Sequence, residues 1–219
     1  KDESGDNITN QMKTLGMSCD WSRERFTMDE GLSEAVINVF VSLYENNLIY
    51  KGTRMVNWDT KLKSAVSDLE VTSSNELGKL WTIKYKAGDT FIEIATTRPE
   101  TLLGDTAVAV NPFDERYKEL IGQTVTIPIV NRDVEIIADE YVDIDFGSGC
   151  VKITPAHDFN DYEIGKRHNL DLITCLDFDG NIEKKDFIPA ELRGLDRFKA
   201  RERIVEMLEE NGILVSVED

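Results

Sequence analysis

The stretch Gly147-Ser148-Gly149-Cys150-Val151-Lys152-Ile153-Thr154-Pro155-Ala156-His157-Asp158-Phe159-Asn160-Asp161 passes from a strand pattern to a helix pattern, and the rest of the chain is read outward from it. Strand alternation puts Lys152 and Thr154 on one face and Val151 and Ile153 on the other. Pro155 then ends the strand. Asp158 and Asp161 stand near the start of a predicted helix over 158–164, which aims two carboxylates at the strand end carrying Lys152 and Thr154. A hydroxyl, an ammonium and two carboxylates therefore converge.

A second polar stretch, Thr96-Thr97-Arg98-Pro99-Glu100-Thr101, lies upstream, after a hairpin signal. Trp81, Ile83 and Tyr85 alternate with Thr82, Lys84 and Lys86. Ala87-Gly88-Asp89 supplies the turn, and 91–95 reads as the returning strand. Residues 106–110 read as another strand. Asn111-Pro112 predicts a short helix with Phe113, Tyr117, Leu120 and Ile121 on one face, closed by Gly122. Strands over 124–130 and 134–138 flank Asn131-Arg132-Asp133 as a hairpin, and 172–178 precedes the turn Asp179-Gly180-Asn181.

Near the N-terminus, Thr27-Met28-Asp29-Glu30 has capping-box spacing. Leu32, Val36, Val39, Phe40 and Leu43 follow at helical intervals up to Asn46-Asn47. A final helix over about 196–210 is predicted to bury Phe198, Ile204, Val205 and Leu208 and to stop at Asn211-Gly212. Many short strands without regular strand–helix alternation predict an α+β fold with a compact β-barrel-like body, short helices and flanking helical segments from both chain ends.

The chain has 219 residues, 41% of them hydrophobic, enough to bury a sizeable core. It holds no apolar run long enough to span a bilayer, and its first seven residues are polar, so neither a membrane partner nor export is expected. Cys19, Cys150 and Cys175 are widely spaced without a Cys-x-x-Cys pair, which argues against a disulfide framework and a structural zinc and fits a reducing cytoplasm. The net charge of −17 opposes nonspecific nucleic-acid affinity, which comes largely from neutralising phosphates. It leaves room for a domain that receives only the last nucleotide of an RNA anchored elsewhere.

The two polar stretches resemble the editing domain inserted in the isoleucyl, leucyl and valyl class I aminoacyl-tRNA synthetases. Lys152-Ile153-Thr154-Pro155-Ala156-His157-Asp158 is spelt as in the valyl type. The resemblance runs through 18–30, Val56-Asn57-Trp58, 65–71 and 194–201, nearly the whole chain. It implies hydrolysis of threonine mis-attached to the acceptor end of valine tRNA, and of threonyl adenylate as a further substrate, with no cofactor. It implies that Asp161 holds the α-ammonium of the esterified amino acid, and that Lys152, Thr154 and Asp158 meet the threonine hydroxyl. Lys152 and Thr154 are grouped with Asp161 as the catalytic set. Thr96, Thr97, Arg98 and Thr101 would line the same pocket, and Phe146 would pack near the terminal adenosine. The implied domains are an N-terminal flanking segment, 1–71, with its helix near 28–46, the editing body with its hydrolytic pocket, 72–195, and a C-terminal flanking helix, 196–219.

Val56-Asn57-Trp58-Asp59-Thr60-Lys61 lacks the cysteine pair that binds zinc in some valyl enzymes, so no metal is expected. The signatures of amino-acid activation are also missing, and the chain looks like an insertion cut from a longer synthetase, its expected partner; it is not expected to charge tRNA. Bland readings stand beside these. Without the resemblance, Asp158 and Asp161 read first as an N-cap and a first-turn acid, Lys152 and Thr154 as outward-facing strand residues, and Gly147 and Gly149 as a bulge. His157 and His168, at no metal-ligand spacing, read as structural or surface residues. Editing for an isoleucyl or leucyl enzyme, which would want an apolar pocket, and a non-catalytic acceptor-end binding module are the rival functions.

Overall fold

The computed structural model describes residues 2–219; Lys1, first of the polar opening residues, lies outside the described residues. Two compact units emerge, 1–53 and 54–219. The first contains α1 (Asp2–Thr14) and α2 (Glu30–Glu45). The cap of α2 is Asp29, whose carboxylate accepts the Leu32 N–H at 2.8 Å, so the start signal at Thr27 belongs two residues further on. Helical spacing of the apolar residues holds, yet α2 has no buried residue: Val36, Val39 and Phe40 are all more than half exposed.

The second unit opens with a ribbon, β1 (Asn57–Asp59) against β2 (Ser64–Val66). The Trp58 indole ties this ribbon to the body by donating to the Phe178 carbonyl at 2.9 Å. The body is one seven-stranded sheet in the order β4-β3-β6-β7-β5-β8, built from β3 (Leu80–Ala87), β4 (Thr90–Thr96), β5 (Ala107–Val110), β6 (Thr124–Ile127), β7 (Arg132–Ala138) and β8 (Cys150–Ile153). The seventh strand, β9 (Leu214–Glu218), pairs with β3. All pairings are antiparallel except β5 with β7. The end strands β4 and β8 approach each other and nearly close the sheet into a barrel. The α+β, barrel-like fold class expected from the sequence holds.

β5 shows why the body is double-layered. Its sequence, Ala-Val-Ala-Val, is buried at every position, the pattern of a strand covered on both faces. Val108 and Val110 join the main core with Ile83, Tyr85, Ile94, Ile127 and Ile136, while Ala107 and Ala109 meet Ile153 and Ile164 on the other face. Ile164 comes from α3 (Phe159–His168). The main core is completed by Ala200, Ile204 and Leu208 of α4 (Arg197–Glu210).

Three sequence expectations are corrected. The segment after Asn111-Pro112 forms turns and one 3-10 turn, Lys118–Leu120, instead of a helix; Tyr117, Leu120 and Ile121 still pack on the core, but Phe113 is 72% exposed. Phe198 also faces outward, at 53%, because the apolar stripe of α4 runs through Ala200, Ile204 and Leu208. The flanking helix expected over 196–219 ends at Glu210, and the short strand β9, Leu214–Glu218, follows it. No helix among the described residues is long and apolar enough to cross a membrane.

Candidate functional site

The loop after β4, the end of β8 and the start of α3 surround a cavity of about 270 Å³. Its walls include Thr96, Thr97, Arg98, Thr101, Phe146, Lys152, Thr154, Asp158 and Asp161. All nine residues singled out from the sequence therefore meet at one place.

Lys152 and Thr154 do share a face, but that face points inward: they are 7% and 1% exposed. Opposite Lys152 in the ladder is Val108 of the main core. Burying an ammonium requires compensation, and it comes from a residue that the sequence did not single out. Asp105, fully buried, lies 3.0 Å from Lys152 Nζ, accepts the Thr154 hydroxyl at 2.6 Å, and accepts the Tyr85 hydroxyl at 2.8 Å. Burial pushes the Asp105 carboxyl up while the Lys152 ammonium and the hydroxyls of Thr154 and Tyr85 pull it back. Burial and Asp105 raise the Tyr85 phenol well above its ordinary range, so it stays a neutral donor.

Lys152 Nζ has three protons. They go to Thr101 Oγ1 at 2.8 Å, Asp105 Oδ1 at 3.0 Å and Thr154 Oγ1 at 2.6 Å. The ammonium is thus saturated within the protein. What it presents to the cavity is indirect: Thr101 donates to the Arg98 carbonyl at 2.9 Å and Thr154 donates to Asp105, so both hydroxyl oxygens, already accepting from Lys152, retain one lone pair each.

Asp158 is the N-cap of α3; its Oδ1 accepts the Asn160 and Asp161 N–H groups at 2.8 and 3.2 Å. The capping reading is correct, and the residue also lines the cavity. Asp161 sits one turn on, 8% exposed, its Oδ2 accepting the Thr154 N–H at 2.8 Å. Oδ1 has no hydrogen-bond partner among the described residues. Burial, aided by the neighbouring Asp158 and Asp105 charges, lifts the Asp161 carboxyl to about 6 against the opposing effects of the Thr154 N–H and Lys152.

The remaining residues are positioned by backbone contacts. Arg98 donates its N–H to Thr96 Oγ1 at 3.1 Å and a guanidinium N–H to the His157 carbonyl at 2.9 Å, bracing the two loops across the cavity. Thr97 is exposed, and Phe146 stands 70% exposed on the cavity wall. Glu100, between Arg98 and Thr101, is fully buried and clamped by Arg201 of α4 at 2.7 and 2.8 Å. Tyr141 joins the wall, and nothing in its local sequence signals this. His157 is structural: Nε2 accepts the Cys175 N–H at 2.9 Å, and burial lowers its imidazole to about 4 with help from Arg98, Lys152 and Lys185. It is neutral at pH 7 with its one acceptor nitrogen occupied, so it is no general base.

The profile of the family described as "tRNA synthetases class I (I, L, M and V)" matches residues 1–183. The chain belongs to the class I tRNA synthetases. Within that family it is 60% identical over 220 residues to the valine–tRNA ligase of Legionella pneumophila (strain Lens), covering all of this chain and 24% of that ligase. It is also 54% identical over 242 residues to the valine–tRNA ligase of Psychrobacter arcticus, covering all of this chain and 25% of that one. The chain thus spans about a quarter of the length of the curated relatives it matches. A solved structure described as "The crystal structure of GlLeuRS-CP1" covers 64% of this chain and 99% of its own, with a TM-score of 0.51 and 12% identity. At that identity the likeness shows the fold alone, and the fold is the one expected.

Proposed function

We propose that this chain is a hydrolytic editing domain that removes threonine from mischarged valine tRNA by cleaving the ester at the acceptor end. One observation carries the reading. In a chain 54–60% identical to valine–tRNA ligases, a small cavity joins a buried carboxylate with a vacant oxygen, Asp161, to two oriented hydroxyls, Thr101 and Thr154.

The chemistry follows from what each group has left to offer. Asp161 Oδ1 takes the α-ammonium of the esterified amino acid in a charge-assisted hydrogen bond. The threonine side-chain hydroxyl donates to the free lone pair of Thr154 or Thr101, and Asp158 lines the same cavity. Valine and threonine are nearly isosteric, so an apolar pocket rejects the threonine hydroxyl by only about a hundredfold, the valyl enzymes being the established example. A pocket that requires the hydroxyl reverses the preference, because valine leaves buried acceptors unpaired at about 1–3 kcal/mol each. A water attacks the ester carbonyl, with the vicinal ribose hydroxyl assisting the leaving oxygen. Threonyl adenylate offers the same ammonium and hydroxyl and is a second substrate of the same kind.

A deacylation time course with threonyl-, valyl- and isoleucyl-tRNA tests the reading. Threonine should be released fastest. Preferential release of valine would assign the domain to the isoleucyl type, and no release of any amino acid would leave an acceptor-end binding module.

A further inference from the structure

A larger cavity, of about 720 Å³, shares Arg98, His157 and Asp158 with the small one, so these three residues form a partition between them. Trp58 of β1, Phe159 at the head of α3 and Phe178 line the larger space, and they are 38%, 49% and 72% exposed. The Trp58 and Phe178 rings stand 5.0 Å apart at 48°, and the indole N–H is fixed on the Phe178 carbonyl, so the pair is pre-ordered.

Three cations border these rings. Arg98 and Lys185 each donate to a backbone carbonyl, of His157 and Thr174, at 2.9 Å, and retain further protons. The Arg197 guanidinium carbon lies over the Phe198 ring, 4.6 Å from its centroid, a cation–π contact. Of the acids at this cavity, Asp158 is engaged in capping α3, and Asp177 accepts the Asp179 and Asn181 N–H groups of its own turn at 2.9 Å; Glu183 is the third.

Exposed aromatic faces beside Arg and Lys are how single-stranded nucleic acids are held without sequence readout. We propose that the larger cavity binds the nucleotide preceding the terminal one in the acceptor strand, with its base on Trp58 and Phe178 and its phosphodiester on Arg197 and Arg98. This rests on the reading that places the aminoacylated terminal nucleoside at the small cavity. A strand crossing the shared partition then sets consecutive nucleotides on its two sides.

The test titrates the chain with cytidylyl-cytidylyl-adenosine and with adenosine 5′-monophosphate, following the Trp58 indole N–H and the other amides by NMR. The trinucleotide should bind roughly tenfold or more tightly than the mononucleotide. Trp58→Leu should remove that advantage and Arg197→Gln should reduce it, both keeping wild-type affinity for the mononucleotide. If Trp58→Leu unravels the ribbon, Arg197→Gln decides. Equal affinity for the two probes in the unaltered chain, or an advantage undiminished in the folded variants, overturns the assignment. Failure of deacylation with the trinucleotide advantage intact sinks the hydrolase reading alone; active deacylation with no advantage sinks this one alone.

Discussion

Asp161 and Lys152 play opposite parts at the residue scale. Asp161 is a buried acid with an unfilled oxygen, and its pKa is lifted to about 6, mainly by burial. The folded state therefore binds more protons than the unfolded state between its ordinary value of 3.8 and about 6, and stability falls as pH rises through that window. At pH 7 the cost is fully present, and under the proposed function a substrate ammonium would relieve it. Deacylation should accordingly fall by about tenfold per pH unit below about 6, because a neutral Asp161 no longer anchors the ammonium. Asp161→Asn keeps an acceptor for the Thr154 N–H but removes the charge; it should abolish deacylation while raising stability at pH 7 by about 1–2 kcal/mol. A melt that drops together with activity would show that Asp161 is structural. Lys152 is the reverse case, a charge whose protons are all engaged. Lys152→Met leaves Asp105 buried and uncompensated and should cost about 3–5 kcal/mol. Adding Asp105→Asn should recover part of that stability without restoring threonine selectivity, since Thr101 and Thr154 lose the donor that orients them. A thermal double-mutant cycle paired with deacylation rates measures both.

At the scale of elements, the head of α3 does two jobs with one residue. Asp158 caps the helix through Oδ1 and lines the cavity. Asparagine caps about as well as aspartate, whereas alanine loses about 1 kcal/mol. Asp158→Asn therefore separates the roles: the melt should hold, while the rate on threonyl-tRNA should drop several-fold relative to valyl-tRNA, because an amide N–H₂ replaces the second carboxylate oxygen. Equal loss on both substrates would move threonine selection to Thr101 and Thr154. The loop bearing Thr101 is held from behind by Glu100 on Arg201 of α4. A helix far along the chain thus fixes one wall of the cavity.

For the whole molecule, charge is the governing quantity. With a net charge of −17, the chain should bind intact tRNA weakly at physiological salt, and the weak binding should decline further as salt rises from about 50 to 200 mM. Filter binding across that range is the measurement, and affinity comparable to a full-length synthetase would refute the electrostatic argument. The curated relatives are about four times longer, this chain matching 24% and 25% of two of them, and we propose that most tRNA affinity resides in the rest of such a protein. The exposed apolar residues of α2, Val36, Val39 and Phe40 among them, are the feature of the first unit that composition alone did not foreshadow.

The sequence by itself determined what short-range geometry controls. Period-two alternation puts Lys152 and Thr154 on one face, the stop at Pro155 and the cap at Asp158 place Asp161 one turn into α3, and the strand-rich pattern gives the α+β class. The wording of these stretches was enough for the family. Tertiary structure alone decided which way that face points and who answers it. Asp105 lies 47 residues from Lys152 and Tyr85 lies 20 from Asp105; near closure of the sheet brings them together, and no local period encodes that closure. The consequence falls on Lys152, whose three protons are all engaged within the protein. This lysine is buried and saturated, since a charge excluded from water must find its partners inside the protein. β9 was missed for the same kind of reason: a five-residue strand is defined less by its own residues than by the free edge of β3 that it fills.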